Sequence, residues 1–130
     1  MIFVDASAIV AIIANEPGCE SLSARLASVT TRRTSSLAVY EASLALARIG
    51  GGSAAATLAL VERWMREWDV TVDSIGPREA RLAVDAHVRF GKGKHKAGLN
   101  MGDCFAYACA KVSGARLLYK GDDFAQTDLA

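Results

Sequence analysis

The stretch LNMGDCFAYACA, residues 99–110, places one carboxylate, Asp103, in the first turn of a predicted helix. Gly114 supplies a C-terminal stop for that helix. Asp103 falls near the edge of the apolar stripe, so it either complements the helix dipole or belongs to a functional site. The stripe itself recurs at i, i+3, i+4 and i+7, the helical period, at four positions: Phe105, Ala108, Cys109 and Val112.

The chain opens with a second informative pattern. Residues 1–4 are apolar and include β-branched and aromatic side chains, which is typical of a strand buried on both faces of a parallel sheet. Asp5 follows that strand, and the apolar run over 6–14 predicts a buried helix. Ligands of open α/β sheets collect beyond the carboxyl ends of strands, where Asp5 would lie. The alternative role for Asp5 is a helix N-cap.

Alternating strand and helix patterns continue along the chain. They predict strands over 30–35, 70–72 and 115–119 and helices over 20–29, 37–48, 54–68 and 78–90. Ser36 is the expected N-cap of the 37–48 helix, and Pro77 fits the first turn of the last one. That last helix is predicted to bury four side chains: Ala80, Ala83, His87 and Phe90.

Composition limits the class of protein. The 130 residues, 52% hydrophobic and 22% charged, suit one domain spanning residues 1–130. A net charge of +1 gives no global sign of nucleic-acid binding, so any such signal must be local. Three cysteines without a CxxC pair argue against a disulfide framework, and the apolar runs are too short to cross a bilayer. We expect a cytoplasmic protein without a signal peptide or a membrane partner.

The acidic residues are best interpreted together. Asp5 and the pair Asp122 and Asp123 follow strand ends, while Glu41 and Asp103 lie in early turns of helices. A parallel sheet brings such positions to one edge, where like charges are unfavourable unless a cation neutralises them or some take up protons. Oxygen ligands without clustered His or Cys favour Mg²⁺ or Mn²⁺ over zinc. Phosphodiester hydrolysis is the chemistry such sites commonly perform.

One dense basic segment, residues 89–98, precedes the Asp103 helix. Its lysines are Lys92, Lys94 and Lys96, and no acid offsets them. The glycines do not form a phosphate-binding P-loop, because no Gly-Lys-Ser/Thr follows at the required distance. The segment is either a solvated mobile loop or a contact to a phosphate backbone.

Four segments together resemble PIN-domain ribonuclease toxins of the VapC type, and the likeness spans nearly the whole chain. They are IFVDASA at 2–8, SSLAVYEA at 35–42, GKG at 91–93 with GDCFAYA at 102–108, and LLYKGDDF at 117–124. The resemblance implies a three-layer α/β fold with a short parallel sheet of about four to five strands flanked by helices. It further implies metal-dependent endonuclease action on RNA such as tRNA or rRNA, a cognate VapB antitoxin and a homodimer.

By position, Asp5, Glu41 and Asp103 match the metal-binding and catalytic acids of these toxins. The fourth is Asp122 or Asp123, and we favour Asp122 because it is nearer the strand end. Ser7 matches a small hydroxyl residue that would hold Asp5 or a water, although capping the first helix explains it equally well. The predicted substrate contacts are Ser7, Lys92, Lys94, Lys96 and Asn100.

Other classes fit less well. A Mg²⁺-dependent phosphatase of the haloacid-dehalogenase type also starts with a strand and Asp, but needs a second Asp where Ser7 stands. A receiver domain would use a late lysine such as Lys120, yet it also needs paired N-terminal acids. A catalytically silent PIN-like module that binds RNA or protein is the main alternative, and Mn²⁺ titration separates it from a nuclease.

Overall fold

In the computed structural model, which describes residues 1–130, each predicted strand forms. The strands are β1 (Ile2–Val4), β2 (Arg32–Ser35), β3 (Val70–Asp73) and β4 (Arg116–Leu118). The helices are α1 (Ala6–Ile13), α2 (Cys19–Ala27), α3 (Ser36–Gly50), α4 (Ala54–Trp68), α5 (Pro77–Phe90) and α6 (Met101–Ser113). A short 3₁₀ turn, Phe124–Gln126, follows β4. No helix combines the length and apolarity needed to span a bilayer.

All strand pairings are parallel, and the strand order is β3-β2-β1-β4. The central strand β1 pairs with β2 through Ile2 and Arg32 and with β4 through Ile2 and Arg116. The four strands confirm the predicted parallel sheet. Because every strand points the same way, the segments that follow all four emerge at one edge.

The core is divided into two clusters by the sheet. Ile2 and Val4 of β1 pack with residues of α1, α2, α3 and α4, whereas Phe3 packs with residues of α5 and α6. This alternation is the two-residue period of a strand covered on both faces. The protein therefore has the three layers, helices on either side of a sheet, that the resemblance implied.

The start of α3 differs from the prediction by one residue. Ser35, not Ser36, is the N-cap, and its side chain accepts a hydrogen bond from Ala38 N at 3.1 Å. Ser35 keeps extended backbone as the last residue of β2, so the strand runs directly into the helix. This direct connection fixes the first turns of α3, which carry Glu41, at the carboxyl edge of the sheet.

Helix α6 is buried more completely than its apolar stripe suggested. Tyr107 is 1% exposed, although the stripe put it on the side of Asp103, because α6 packs against α5 and the sheet together. The prediction for α5 was partly wrong. That helix buries Ala83 and Ala86, while Ala80 and His87 are exposed and Phe90 is half-buried.

Candidate functional site

The carboxyl edge of the sheet holds a cavity of about 480 Å³, called the acidic cavity below. It is open to solvent and lies where β1, α3, α6 and the segment after β4 meet. Three of the predicted acids line it, together with three charged side chains that the sequence had not singled out as site residues. Its polar lining comprises Asp5, Ser7, Glu16, Glu41, Arg48, Asp103 and Lys120.

Asp5 is the most buried acid of the cavity, with 4% of its surface exposed. Its Oδ2 accepts hydrogen bonds from Ser7 N at 3.0 Å and Ser7 Oγ at 2.5 Å, so Asp5 is also the N-cap of α1. Burial raises the pKa of Asp5, and the two Ser7 bonds only partly offset that effect. Asp5 therefore caps α1 and also lines the acidic cavity.

Ser7 connects two sides of the cavity. Its hydroxyl donates to Asp5 and accepts from the backbone N–H of Lys120 at 3.0 Å. The segment after β4 is thereby tied to the carboxylate that follows β1. Ser7 thus holds the Asp5 carboxylate in place, which is one of the two roles predicted for it.

Glu41 reaches the cavity from the second turn of α3. Burial raises its pKa to about 7, and the negative charges of Asp5 and Asp103 add to the effect. Its carboxylate lies against Gly102 of α6, at the place where a β-carbon on residue 102 would stand. The missing side chain at Gly102 is therefore what lets Glu41 approach α6.

Asp103 lies in the first turn of α6, where it forms a capping box with Asn100. Asp103 N donates to Asn100 Oδ1 at 2.9 Å, and Asn100 N donates to Asp103 Oδ2 at 3.1 Å. Burial raises the pKa of Asp103 to about 6 against the opposing bond from Asn100, with further contributions from Asp5 and Asp123. Only Oδ2 is hydrogen bonded to the protein, which leaves Oδ1 free.

The structure distinguishes the two aspartates that follow β4. The charge of Asp123 helps to raise the pKa of both Asp5 and Asp103. Both side chains are exposed, and the backbone carbonyls of Asp122 and Asp123 accept hydrogen bonds from Ala125 N and Gln126 N in the turn. Neither aspartate lines the acidic cavity. The reach of its charge to Asp5 and Asp103 is the observation that favours Asp123 over Asp122, the residue preferred from the sequence.

The predicted substrate contacts other than Ser7 lie outside the acidic cavity. Lys92 and Asn100 line a second cavity of about 490 Å³ between α5 and α6, called the apolar cavity below. Lys94 and Lys96 are exposed in the turns between these helices. A β-bridge between Gly91 and Leu99 joins the two ends of the basic segment, which therefore forms a closed loop between α5 and α6.

Sequence reasoning missed Glu16, Arg48, Gly102 and Lys120 as site residues. A signal existed for Arg48, since it follows Glu41 by seven residues and so shares its face of α3. No pattern marked Gly102, because its role depends on how closely α3 crosses α6.

The lining of the acidic cavity meets one requirement of a divalent cation, oxygen donors, but does not form a closed cage. Its acidic donors are all carboxylate oxygens, which suit a hard ion, and the crowding of desolvated acids is what a cation relieves. As the side chains stand, no three acidic, His or Cys groups converge closely enough to enclose an ion. The donor set therefore fits an ion that keeps several waters, as Mg²⁺ does, better than a closed cage.

Comparison with known proteins agrees with this geometry. The family model described as PIN domain matches residues 2–129. The chain belongs to the PIN-domain family. Within it, a Ribonuclease VapC from Mycolicibacterium smegmatis is 39% identical over 127 residues, which cover 98% of this chain and 96% of that relative. Ribonuclease VapC30 from Mycobacterium tuberculosis is 38% identical over 130 residues, covering 98% of this chain and 95% of the relative.

A solved structure supports the fold of this PIN domain independently. The crystal structure of Mycobacterium tuberculosis VapC20, a toxin described as cleaving the Sarcin-Ricin loop, superposes with a TM-score of 0.73. The match covers 96% of this chain and 93% of that one at 19% identity. At that identity the comparison establishes the α/β architecture.

Proposed function

We propose that this PIN domain, a single domain over residues 1–130, is a metal-dependent endoribonuclease and the toxin of a type II toxin–antitoxin system. The observation that carries the proposal is the acidic cavity. Asp5, Glu41 and Asp103 come from three separate elements, yet each faces the same space with a raised pKa. Such an arrangement costs stability in the free protein, and a function that needs a cation explains it.

The metal-binding residues of the proposal are Asp5, Glu41, Asp103 and Asp123, with Asp122 kept as a comparison. Serine and backbone hydrogen bonds hold Oδ2 of Asp5 and Oδ2 of Asp103. Each carboxylate is thereby oriented through one oxygen. When bound, Mg²⁺ or Mn²⁺ supplies a water of lowered pKa and stabilises the leaving oxygen of the phosphodiester.

The proposed partners are RNA, a VapB-type antitoxin and a second copy of the chain. The names of the curated relatives, Ribonuclease VapC among them, support RNA as the substrate class. Tyr40, Ile49 and Leu60 are large apolar side chains exposed on α3 and α4, and they offer surface for protein partners. We propose tRNA or rRNA as substrates and Lys92, Lys94 and Lys96 as contacts to the RNA backbone outside the cavity.

The test is cleavage of total RNA by the purified protein, with new 5′ ends mapped by sequencing. We expect discrete ends in Mg²⁺ or Mn²⁺, no new ends in EDTA, and none with Asp103→Asn at unchanged folding. Asparagine suits position 103 as a control because it retains a side-chain oxygen for the capping box.

The alternative, a silent module that binds RNA or protein, gives a different pattern. It would bind without new 5′ ends, and calorimetric titration would show no Mn²⁺ uptake. The loose spacing of the carboxylates is the observation in its favour. Metal uptake that Asp103→Asn abolishes would rule it out.

A further inference from the structure

Two cationic side chains, Arg48 and Lys120, lie in the acidic cavity beside the carboxylates. Arg48 stands two turns after Glu41 on the same face of α3, about 10 Å farther along the helix axis. Lys120 comes directly from the segment after β4, whose backbone is anchored to Ser7. They reach the cavity from different elements, so their shared location is a property of the fold.

Neither cation neutralises the three central acids. Arg48 is exposed and makes no ion pair or hydrogen bond through its guanidinium, even though carboxylates line the same cavity. Lys120 Nζ lies 3.7 Å from Glu16 Oε1, with 37% and 35% of the two side chains exposed. An ion pair as exposed to water as this one contributes little to stability. Stabilisation of the fold therefore does not explain why these two cations lie in the cavity.

We propose that Arg48 and Lys120 form a phosphate-binding subsite for the RNA backbone, next to the phosphate that is cleaved. The proposal rests on the proposed function, in which the carboxylates and their ion engage the scissile phosphate. The two-turn offset from Glu41 puts the guanidinium beyond that phosphate and within reach of a flanking one. Arginine offers a planar fork of N–H donors suited to phosphate oxygens, and lysine offers a point charge.

The Glu16 contact gives the subsite a resting state. In the free protein Lys120 is paired with Glu16, and a phosphate oxygen would replace that carboxylate as its partner. Arg48 needs no such exchange. Because the subsite binds a flanking phosphate, it stabilises the bound substrate and the transition state equally. Removal of either cation should therefore raise KM and leave kcat unchanged.

The subsite has a measurable electrostatic signature. Each single-strand phosphate contact contributes about 0.7 to the slope of log affinity against log salt concentration. Affinity for a short single-stranded RNA that the wild type cleaves is therefore measured between about 50 and 200 mM salt. The Asp103→Asn background prevents turnover during that measurement, and Mg²⁺ is present throughout.

Arg48→Gln and Lys120→Gln are compared with Arg66→Gln, which removes one exposed charge from α4, outside the acidic cavity. We expect the first two to lower the salt slope by about 0.7 each and Arg66→Gln to leave it unchanged. In the otherwise wild-type protein they should raise KM about tenfold with kcat unchanged. Arg48→Lys keeps the charge and should restore the slope, which separates binding from any folding defect.

The outcomes separate this inference from the proposed function. If the wild type cleaves RNA but Arg48→Gln and Lys120→Gln behave like Arg66→Gln, the subsite is wrong and the nuclease stands. If the wild type cleaves no RNA, the proposed function fails on its own experiment. A loss of kcat with unchanged KM and slope would also overturn the subsite, because it would place the two cations at the reacting group.

Discussion

Two cavities of nearly equal size flank the start of α6, and they differ in chemistry. The acidic cavity, about 480 Å³, is lined by charged side chains from several elements, whereas the apolar cavity, about 490 Å³, is lined mainly by apolar side chains of α5 and α6. Asp103 faces the first, and Asn100, Met101 and Phe105 face the second. Size alone therefore does not distinguish the candidate site from the other cavity, whereas the cluster of desolvated carboxylates does.

The strongest test of this contrast removes one charge from the acidic cavity. Asp5→Asn should lower RNA cleavage at least about a hundredfold, because a carboxylate at the metal centre is lost. Folding should be unchanged or improved, since asparagine is a good N-cap and no charge remains to be buried. Cleavage rate and thermal denaturation are measured together.

The matched control lies in the apolar cavity. Val84→Thr changes one exposed side chain there at nearly constant volume and should leave cleavage within about twofold of the wild type. Equal losses in the two variants would break the distinction between the cavities.

The next effect concerns the contact between α3 and α6. Gly102→Ala places a methyl group where the Glu41 carboxylate lies, so the acid must move away. We expect cleavage to fall about tenfold or more, since small misplacements of catalytic groups are costly. Alanine is a better helix former than glycine by about 1 kcal/mol, so α6 itself should not be weakened. Full activity in this variant would mean that the position of Glu41 does not matter.

A neighbouring pair offers a comparison within one turn. Asp123→Asn should lower Mn²⁺ affinity about tenfold, as loss of a nearby charge does, whereas Asp122→Asn should change it less than about twofold. The physical reason is that the field of Asp123 reaches Asp5 and Asp103. Calorimetric titration measures both affinities. The reverse ranking would restore the assignment made from the sequence.

The smallest effect is a pH dependence of stability without metal. Glu41 has a pKa of about 7 when folded and 4.5 ordinarily, so between about pH 4 and 7 the native state holds a proton that the unfolded chain releases. Ionisation of Glu41 therefore makes the wild type less stable as pH rises through that window. Glu41→Gln should equal the wild type in Tm near pH 4 and exceed it by a few degrees above pH 7. Mg²⁺ should reduce the difference, and a gap constant with pH would contradict the burial of Glu41.

Much of the fold followed from the sequence because its local patterns are strong. The run before Asp5 specified a buried strand, and the 99–110 stretch specified a capped helix ending at Gly114. The convergence of Asp5 and Glu41 on one edge also followed, since Asp5 follows β1 and α3 continues directly from β2. Asp103 joins them in the acidic cavity because α6 starts at that edge and leads into β4.

Other features depend on distances that no local pattern encodes. The charge of Asp123 affects Asp5 and Asp103 through distances set by the turn after β4, and the crossing of α3 over α6 decides the role of Gly102. The lysine segment lies away from the acidic cavity for a related reason. Lys92 is adjacent in sequence to the Asp103 helix, but the bridge from Gly91 to Leu99 turns it toward the apolar cavity.

The pairing of β1 with β4 joins residues from opposite ends of the chain, with Ile2 beside Arg116. Contacts so distant in sequence make folding slow and late. During synthesis, a ribosome must translate past residue 120 before the central strand gains its second neighbour and Lys120 meets Ser7. A chain interrupted earlier carries Asp5 and Glu41 but lacks the walls of the acidic cavity that α6 and Lys120 supply.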